Sequence, residues 1–406
     1  MRTMRGRIIE EIKGKKYKII IEAGKDPETG NRKRVIRNVT GRKPDAEKLC
    51  ADIIRELEQG TYIEPKKTTV TAYLKYWLEN YAITNLAPST YASYERIVLS
   101  HIIPLLGGVE LAKLLPTQIQ AYYTKKLTEG RRDKKGGLSA RTVQYHHRVL
   151  REALQHALKW QMIHRNPADA TEPPKPEKPT IYPLTPDELD KLLEAAEGHR
   201  DKWLVMFAAY SGMRQGELLA MKWSAVDIES KDDPYAQVQQ TVGYINGKGF
   251  VFRPIGKSKK SLREITLPEI AVLALKQQKK LQAADKLSTP PEEKYEDSGL
   301  VFATDRGKPI DPSGLTRRFK ALAKKAGFSD TRFHDLRHGF ATMMLSQGVH
   351  PKVVQEMLGH ETISITMDTY SHVIKGMQKE AVQKLNEFIK NKNGHQSGTK
   401  TQKDHL

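Results

Sequence analysis

Cysteine is almost missing from this chain. Its 406 residues contain one, Cys50, so no disulfide can close within the chain and a reducing cytosolic setting is expected. Cys50 falls in a helical pattern and reads as a small core residue. Long apolar runs are missing too. None approaches the ~20 residues that span a bilayer, so no membrane segment is expected. Arg2, Arg5 and Arg7 make the N-terminus basic, but Glu10 and Glu11 arrive before any apolar stretch, and no secretory signal is expected. Acidic residues are in deficit, 48 Asp and Glu against 68 Lys and Arg, for a net charge of +20 and a pI near 9.6. That surplus suits RNA, DNA, an acidic partner or mere solubility without choosing among them. No internal repeat is visible. What the chain does have is length for two or three domains, with 38% hydrophobic residues to build their cores.

Residues 1–64 read as a small module of strands plus one helix. Lys16 to Glu22 and Arg32 to Val39 are β-branched strand candidates, and Asp26-Pro27-Glu28-Thr29-Gly30 between them has the residue types of a hairpin turn. Leu49, Ile53, Ile54 and Leu57 then recur at helical spacing before Gly60. The second strand is basic (Arg32, Lys33, Arg34, Arg37). It is either a solvated face or a sheet that enters a DNA groove, with Arg34 and Arg37 as candidate contacts.

Residues 65–170 are helical in pattern throughout. Helices are expected from Thr71 to Tyr81, from Ser89 to His101 behind Pro88, from Gln118 to Leu127 behind Pro116-Thr117, and from Ser139 to Trp160. The last of these puts Val143, His147, Leu150, Leu154 and Leu158 on one side. Arg141, His146, Arg148, Arg151 and Lys159 stand on the other, where Arg141, Arg148 and Arg151 are candidate phosphate contacts. Residues 171–183 follow, with four prolines between Thr171 and Thr180, an extended and semi-rigid linker. Residues 184–390 start on a capped helix from Asp187 to Glu197 and run through the apolar stretch Trp203 to Tyr210. A β-rich stretch from Val238 to Leu267 has turns at Asn246-Gly247 and Gly256-Lys257, and the remainder is helical. Residues 391–406 are polar, aperiodic and expected to be disordered.

Several short segments carry chemistry. Arg214 stands in Ser211-Gly212-Met213-Arg214-Gln215-Gly216-Glu217. His334-Asp335-Leu336-Arg337-His338, Leu358-Gly359-His360 and Asp368-Thr369-Tyr370 follow. A tyrosine hydroxyl is a poor nucleophile at its ordinary pKa near 10 unless its proton is drawn off or its target is polarised. A phosphodiester repels nucleophiles, so an enzyme without metal must place fixed cations on both non-bridging oxygens, and the arginine fork does this best. Arg214 and Arg337 are the candidate pair. His334 and His360 can donate to the same oxygens or move the proton of Tyr370. Lys257, at a hairpin tip, suits protonation of a leaving oxygen. Each residue also has a plainer reading. Arg214 and Glu217 at i, i+3 make a surface bridge worth at most ~1 kcal/mol. His334 and His338 have the spacing of a helical metal pair, yet no glutamate completes an H-E-x-x-H and the sole cysteine is far away. Neither a metal nor a cofactor is expected.

Taken jointly these segments resemble the phage-integrase family of tyrosine recombinases, in the three-domain form found in phages and conjugative transposons. The first arginine box falls on Arg214 with Glu217 in support, the second on His334 and Arg337, the third basic position on His360 and the nucleophile on Tyr370. Lys257 matches the hairpin lysine by its place ahead of Arg263-Glu264-Ile265-Thr266-Leu267-Pro268, although Thr266 departs from the proline common there.

The resemblance implies a multidomain α+β fold. It would comprise an arm-type DNA-binding module with a small sheet and helix (1–64), an all-α SAM-like core-binding domain (65–170), and a mainly α catalytic domain with a small antiparallel sheet (184–390). It implies site-specific DNA recombination through a 3′-phosphotyrosyl intermediate without cofactor, integrating or excising a mobile element. The implied partners are double-stranded DNA at core and arm attachment sites, three further copies in a tetramer, and an accessory bending or excision factor; the implied setting is the bacterial cytoplasm. A C-terminal stripe of Met377, Ala381, Val382, Leu385, Phe388 and Ile389 would pack on the adjacent protomer. The competing readings are a DNA-binding regulator on the same fold, a type IB topoisomerase and, with no carboxylate cluster to support it, a metal-dependent nuclease.

Overall fold

The computed structural model describes residues 5–25, 32–59, 62, 67–131, 133, 135–177, 183–255, 263–290 and 292–370, with residues 382, 383, 385, 386 and 389 beyond. The chain divides into two compact units, Met1–Lys178 and Pro179–Leu406.

The first unit opens with β1 (Gly6–Ile12), β2 (Lys16–Lys25) and β3 (Arg32–Thr40), an antiparallel sheet in the order β1-β2-β3. The pleat sends alternate residues to opposite faces. Tyr17, Ile19, Ile21 and Val35 go to the face covered by α1 (Lys43–Glu58), which supplies Ala46, Cys50 and Ile53 to the same core. Strand β1 was not anticipated, because the adjacent Ile8-Ile9 and Glu10-Glu11 break the alternation and the register shifts between Glu10 and Ile12. The turn expected at Asp26–Gly30 lies outside the described residues. Arg34 and Arg37 are an odd number of residues apart, so the pleat separates them. Arg34 donates from Nε to Glu22 at 2.8 Å. Arg37 turns to the helix-covered side, where it donates to the Tyr62 hydroxyl and stands 5.8 Å from its ring centre. Of the two candidate DNA contacts on this strand, Arg34 therefore stands on the open face of the sheet and Arg37 on the covered one.

The helical part follows with its own core. Helix α2 (Val70–Trp77) passes through a widened turn, Leu78–Ala82, into α3 (Ile83–Asn85). Helix α4 (Pro88–Ile97) starts on proline and passes through another widened turn, Val98–Ile102, into α5 (Ile103–Leu106). Pro104 has no N–H to return to the preceding turn, and the ladder opens ahead of it. Helices α6 (Pro116–Glu129) and α7 (Ala140–Lys159) complete a core around Tyr73, Trp77, Ile119 and Leu154.

One side chain of α7 is not where the pattern put it. His146 is buried, its Nδ1 2.8 Å from the Tyr122 hydroxyl, while His147 is half-buried and meets the Tyr123 hydroxyl at 2.7 Å. Buried phenols need hydrogen-bond partners, and histidine serves both. Burial lowers the His146 pKa to about 3, so it is neutral. Arg141, Arg148 and Arg151 are exposed, with Arg151 held by Asp169 at 2.7 Å. The Pro-rich segment leaves this unit already docked. The Glu172 backbone accepts from and donates to the Gln120 side chain at 3.1 and 3.0 Å.

In the second unit, Thr185 and Glu188 form a capping box on α8 (Pro186–Ala195). Helices α9 (Lys202–Ser211) and α10 (Gln215–Leu218) precede the strands β4 (Val226–Asp227), β5 (Tyr235–Val238), β6 (Gln240–Ile245), β7 (Gly249–Pro254) and β8 (Arg263–Thr266). These strands form a β4-β5-β8 sheet and a β6-β7 hairpin, antiparallel throughout. Helix α11 (Glu269–Ser288) comes next. The helical remainder expected after it is interrupted, since the described residues from Thr289 to Asp311 carry only bridges, Leu300 with Lys222 and Ala303 with Pro309. Prolines and glycines in that stretch cannot sustain a helix. Helices α12 (Pro312–Lys325), α13 (Asp335–Ser346), α14 (Pro351–Leu358) and α15 (Ile363–Thr369) follow. The main core centres on Leu192, Val205, Phe207, Leu275, Phe302 and Phe319. A smaller one joins Phe340, Leu345, Val354, Leu358 and Tyr370. Among the described residues no helix is long and apolar enough to cross a membrane.

Candidate active site

The site is assembled where α9 stops. Gly212 ends that helix in the left-handed region at φ +62°, and a Cβ there would come within 2.5 Å of the Phe340 ring. Glycine alone meets both conditions. The reversal delivers Arg214 to the N-cap of α10, one turn before Glu217. Glu217 accepts from the Arg214 backbone N–H at 2.9 Å and from Arg214 Nη1 at 2.8 Å. The same carboxylate takes both terminal nitrogens of Arg263, from β8, at 3.0 and 2.5 Å. Burial pushes the Glu217 carboxyl up, but the bond and charge of Arg263, followed by the bonds from Arg214, outweigh it and hold its pKa below the ordinary value.

Both arginines are also fastened to the end of α14. Arg263 Nε donates to the Met357 carbonyl and Arg214 Nη2 to the Gly359 carbonyl, each at 2.9 Å. These are C-terminal carbonyls without intrahelical partners, and cations suit them. Gly359 sits at φ +65°, and a Cβ there would stand 2.7 Å from the Arg263 guanidinium. The approach of that arginine requires glycine at this point.

Arg337 comes up from α13 and is 3% exposed. Its Nη1 donates to the Gly212 carbonyl at 2.7 Å. Its Nη2 is buried and has no hydrogen-bond partner among the described residues. Burial, and next the charge of Arg214, bring this guanidinium down to about 9, which leaves it charged at neutral pH. His334 precedes it at the N-cap of α13, and the His334 and His338 rings stand 5.0 Å apart and nearly perpendicular.

All three histidines are pushed toward the neutral form. His334 is lowered by burial and then Arg337. His338 falls to about 4 through burial and then His334. His360 falls to about 4 through burial, then Arg337 and Arg214. Tyr370 is 1% exposed, its hydroxyl 2.8 Å from His338 Nδ1, and burial raises the phenol to about 12 against the opposing pull of Arg337. Asp335 is taken up by Arg332 at 2.7 Å. Three guanidiniums and the one Glu217 carboxylate therefore leave a charge of +2 around a buried donor.

The structure brings Arg214, Glu217, His334, Arg337, His360 and Tyr370 into this one neighbourhood. Lys257 lies outside the described residues. Arg34, Arg37, Arg141, Arg148 and Arg151 belong to the other unit and take no part here. Two members were missed in the sequence. Arg263 served there only to locate Lys257, although a charged residue opening a half-buried strand was a usable signal. His338, one turn from His334, was weighed only as half of a metal pair. Among the described residues, no group of three or more His, Cys, Asp or Glu is placed to hold a metal ion.

Comparison with known proteins places the fold first. The Tn1549 transposon integrase, solved with a circular intermediate DNA, superposes with a TM-score of 0.64 at 19% identity, over 77% of this chain and 99% of that one. A lambda integrase tetramer bound to a Holliday junction gives 0.54 at 20% identity, over 91% and 94%. The architecture is thus that of the tyrosine recombinases. Residues 183–377 match the phage integrase family and residues 69–127 its N-terminal SAM-like domain. A tyrosine recombinase XerC-like protein of Caldanaerobacter subterraneus is 29% identical over 386 residues, covering 92% of this chain and 96% of its own. The ICEBs1 integrase of Bacillus subtilis is 23% identical over 389 residues, 94% and 100% of the two chains. The chain belongs to the phage integrase family and is a tyrosine recombinase.

Proposed function

We propose that Tyr370 is the nucleophile with which this recombinase cuts and rejoins attachment-site DNA of a mobile element. The observation that carries the reading is the buried Nη2 of Arg337, without a hydrogen-bond partner among the described residues, inside a site of charge +2 that also holds the tyrosine. Such a donor needs an acceptor, a site of net charge +2 favours an anionic one, and a DNA phosphodiester is the anion the family acts on. Arg214 and Arg337 take the two non-bridging oxygens, with His334 and His360 as further donors.

The Tyr370 oxygen attacks phosphorus, and its proton passes to a neutral imidazole. His338, already bonded to the hydroxyl, is the nearest. The bond to the 5′ oxygen breaks and that oxygen takes a proton, in this reading from Lys257. The product is a 3′-phosphotyrosyl link and a free 5′ hydroxyl, so the phosphodiester energy is kept without ATP or metal. A 5′ hydroxyl from the partner duplex then reverses the step. Glu217 supports both Arg214 and Arg263.

The assignment extends to architecture. Residues 1–64 read arm sites, 65–170 and 184–390 grip core DNA on either side of the 171–183 linker, and four copies act together in the bacterial cytoplasm. A nicked suicide substrate tests the chemistry. The wild type should become covalently trapped in buffer containing EDTA, while Tyr370→Phe should bind equally and never be trapped. Equal trapping of both proteins would refute the nucleophile, and metal-dependent trapping would refute the metal-free step.

A further inference from the structure

Helix α15 reaches the site through two hydroxyls one turn apart, Thr366 and Tyr370, both buried at 0% and 1% exposure. Each meets the Nδ1 of a histidine at 2.8 Å, Thr366 that of His360 and Tyr370 that of His338. The Tyr370 contact involves the reacting atom itself. The Thr366 contact has no place in the reaction as proposed.

We infer that Thr366 is a positioning residue that sets the tautomer of His360, donating its hydroxyl proton to Nδ1 so that Nε2 carries the ring hydrogen toward the phosphate. The argument is one of proton accounting. Among the described residues Thr366 Oγ1 has no other hydrogen-bond partner, and the side chain is sealed from water. If Nδ1 carried the ring hydrogen and donated to Oγ1, the threonine proton would be left buried without an acceptor. Nε2 would then present a lone pair to an incoming anion. With Oγ1–H donating, both groups are satisfied and Nε2 becomes a donor, as the bond made by one ring nitrogen of a histidine commonly dictates the state of the other. A neutral ring is needed for a tautomer to matter. His360 stands near Arg337, Arg214, His338 and Arg263, which with its burial disfavour the imidazolium. The ring's backbone is held separately, because Gln355 Nε2 donates to the His360 carbonyl at 2.6 Å. Loss of the threonine hydroxyl should therefore free the tautomer without unseating the residue.

This inference rests on His360 acting as a phosphate donor, and the test separates the two claims. Thr366→Val keeps the shape and removes the hydroxyl; Thr366→Ser restores the hydroxyl. In full-length protein labelled with ¹⁵N-histidine, His360, assigned through His360→Gln, should show the Nε2–H tautomer in the wild type and in Thr366→Ser. In Thr366→Val it should show the Nδ1–H form or a mixture. Trapping on nicked duplexes should slow about 10-fold or more in Thr366→Val, from the scale of outer-shell effects, and recover in Thr366→Ser at unchanged DNA affinity. An unchanged Nε2–H signal in Thr366→Val would overturn the inference. A shifted tautomer with trapping at the wild-type rate would instead overturn the role of His360 as donor. A lower melting temperature with both readouts unchanged would mark Thr366 as structural and overturn the inference too.

Discussion

Glu217→Gln removes the one negative charge at the centre of the site and leaves the side-chain shape. Glu217 is 3% exposed and serves two arginines through four hydrogen bonds. Breaking a buried pair by removing one partner costs about 3–5 kcal/mol. Most of that belongs to Arg263, whose side chain is 13% exposed, because Arg214 at 43% is screened by solvent. A unit of this size loses roughly 2–4 °C of melting temperature per kcal/mol, so a fall of about 6–20 °C is expected at pH 7.

The pH dependence gives the sharper check. The folded-state pKa of Glu217 is depressed below its ordinary 4.5. Its stabilisation is therefore complete above the unfolded value and disappears as pH falls through the folded one. The neutral glutamine has no such term. Melting curves of wild type and Glu217→Gln, recorded side by side from pH 7 to pH 3, should converge on the acid side, and other acid effects cancel in the difference. A gap below about 1 kcal/mol at pH 7, or one that stays constant down to pH 3, would refute the claim that this carboxylate holds the arginines.

Arg337→Ala should bind DNA yet form adducts about 10²–10³-fold more slowly, the scale of losing one donor to a developing charge; Arg337→Lys should restore little, since a point charge cannot replace the fork. Deleting residues 1–60, which hold 16 Lys and Arg against 10 Asp and Glu, should leave cleavage of core sites intact and abolish footprints on arm sites. Binding by the remainder should still weaken steeply with salt. Val382, Leu385 and Ile389 are exposed at 53, 56 and 47%, so Leu385→Asp with Phe388→Asp should shift assembly on DNA from tetramers to smaller species. Mixing that variant with Tyr370→Phe protein, by adduct yield and complex size, distinguishes packing on a neighbour from packing on the same chain; normal tetramers and normal recombination from a chain ended after His372 would refute any coupling of this segment to cleavage.

The strands and helices were legible where periodicity was clean. β2 alternates Tyr17, Ile19 and Ile21 inward, and α7 repeats its apolar residues across five turns. β1 was not legible because paired isoleucines and paired glutamates hide a bulge. His146 was misplaced because its ring is polar in a list of residues yet buried in the fold, where the Tyr122 hydroxyl needs a partner. The site residues stand in short segments whose order carries their chemistry. Their mutual supports do not show in that order. Arg263 reaches Glu217 across 46 positions, Arg214 reaches the Gly359 carbonyl across 145, and Arg337 reaches the Gly212 carbonyl across 125. Contacts between a guanidinium and a remote backbone carbonyl leave no local pattern, because any residue can supply the acceptor.

If Tyr370 is the nucleophile as proposed, the same contacts would keep the site idle without DNA. With the phenol raised to about 12 and its neighbour His338 lowered to about 4, the imidazole beside the hydroxyl is a weak acceptor for its proton. The histidine is kept weak by burial and by surrounding positive charge. A phosphodiester entering beside Arg337 brings the opposite charge, and a nearby anion favours the imidazolium. It also supplies the polarised phosphorus toward which the oxygen's charge can flow as the bond forms. The base is strengthened and the target presented in a single binding event, so proton loss and attack become possible together. A chain bound only through the basic surfaces of its first unit would hold DNA with the phenol still protonated. On the proposed mechanism, cutting would then wait on the seating of one phosphate between Arg214 and Arg337.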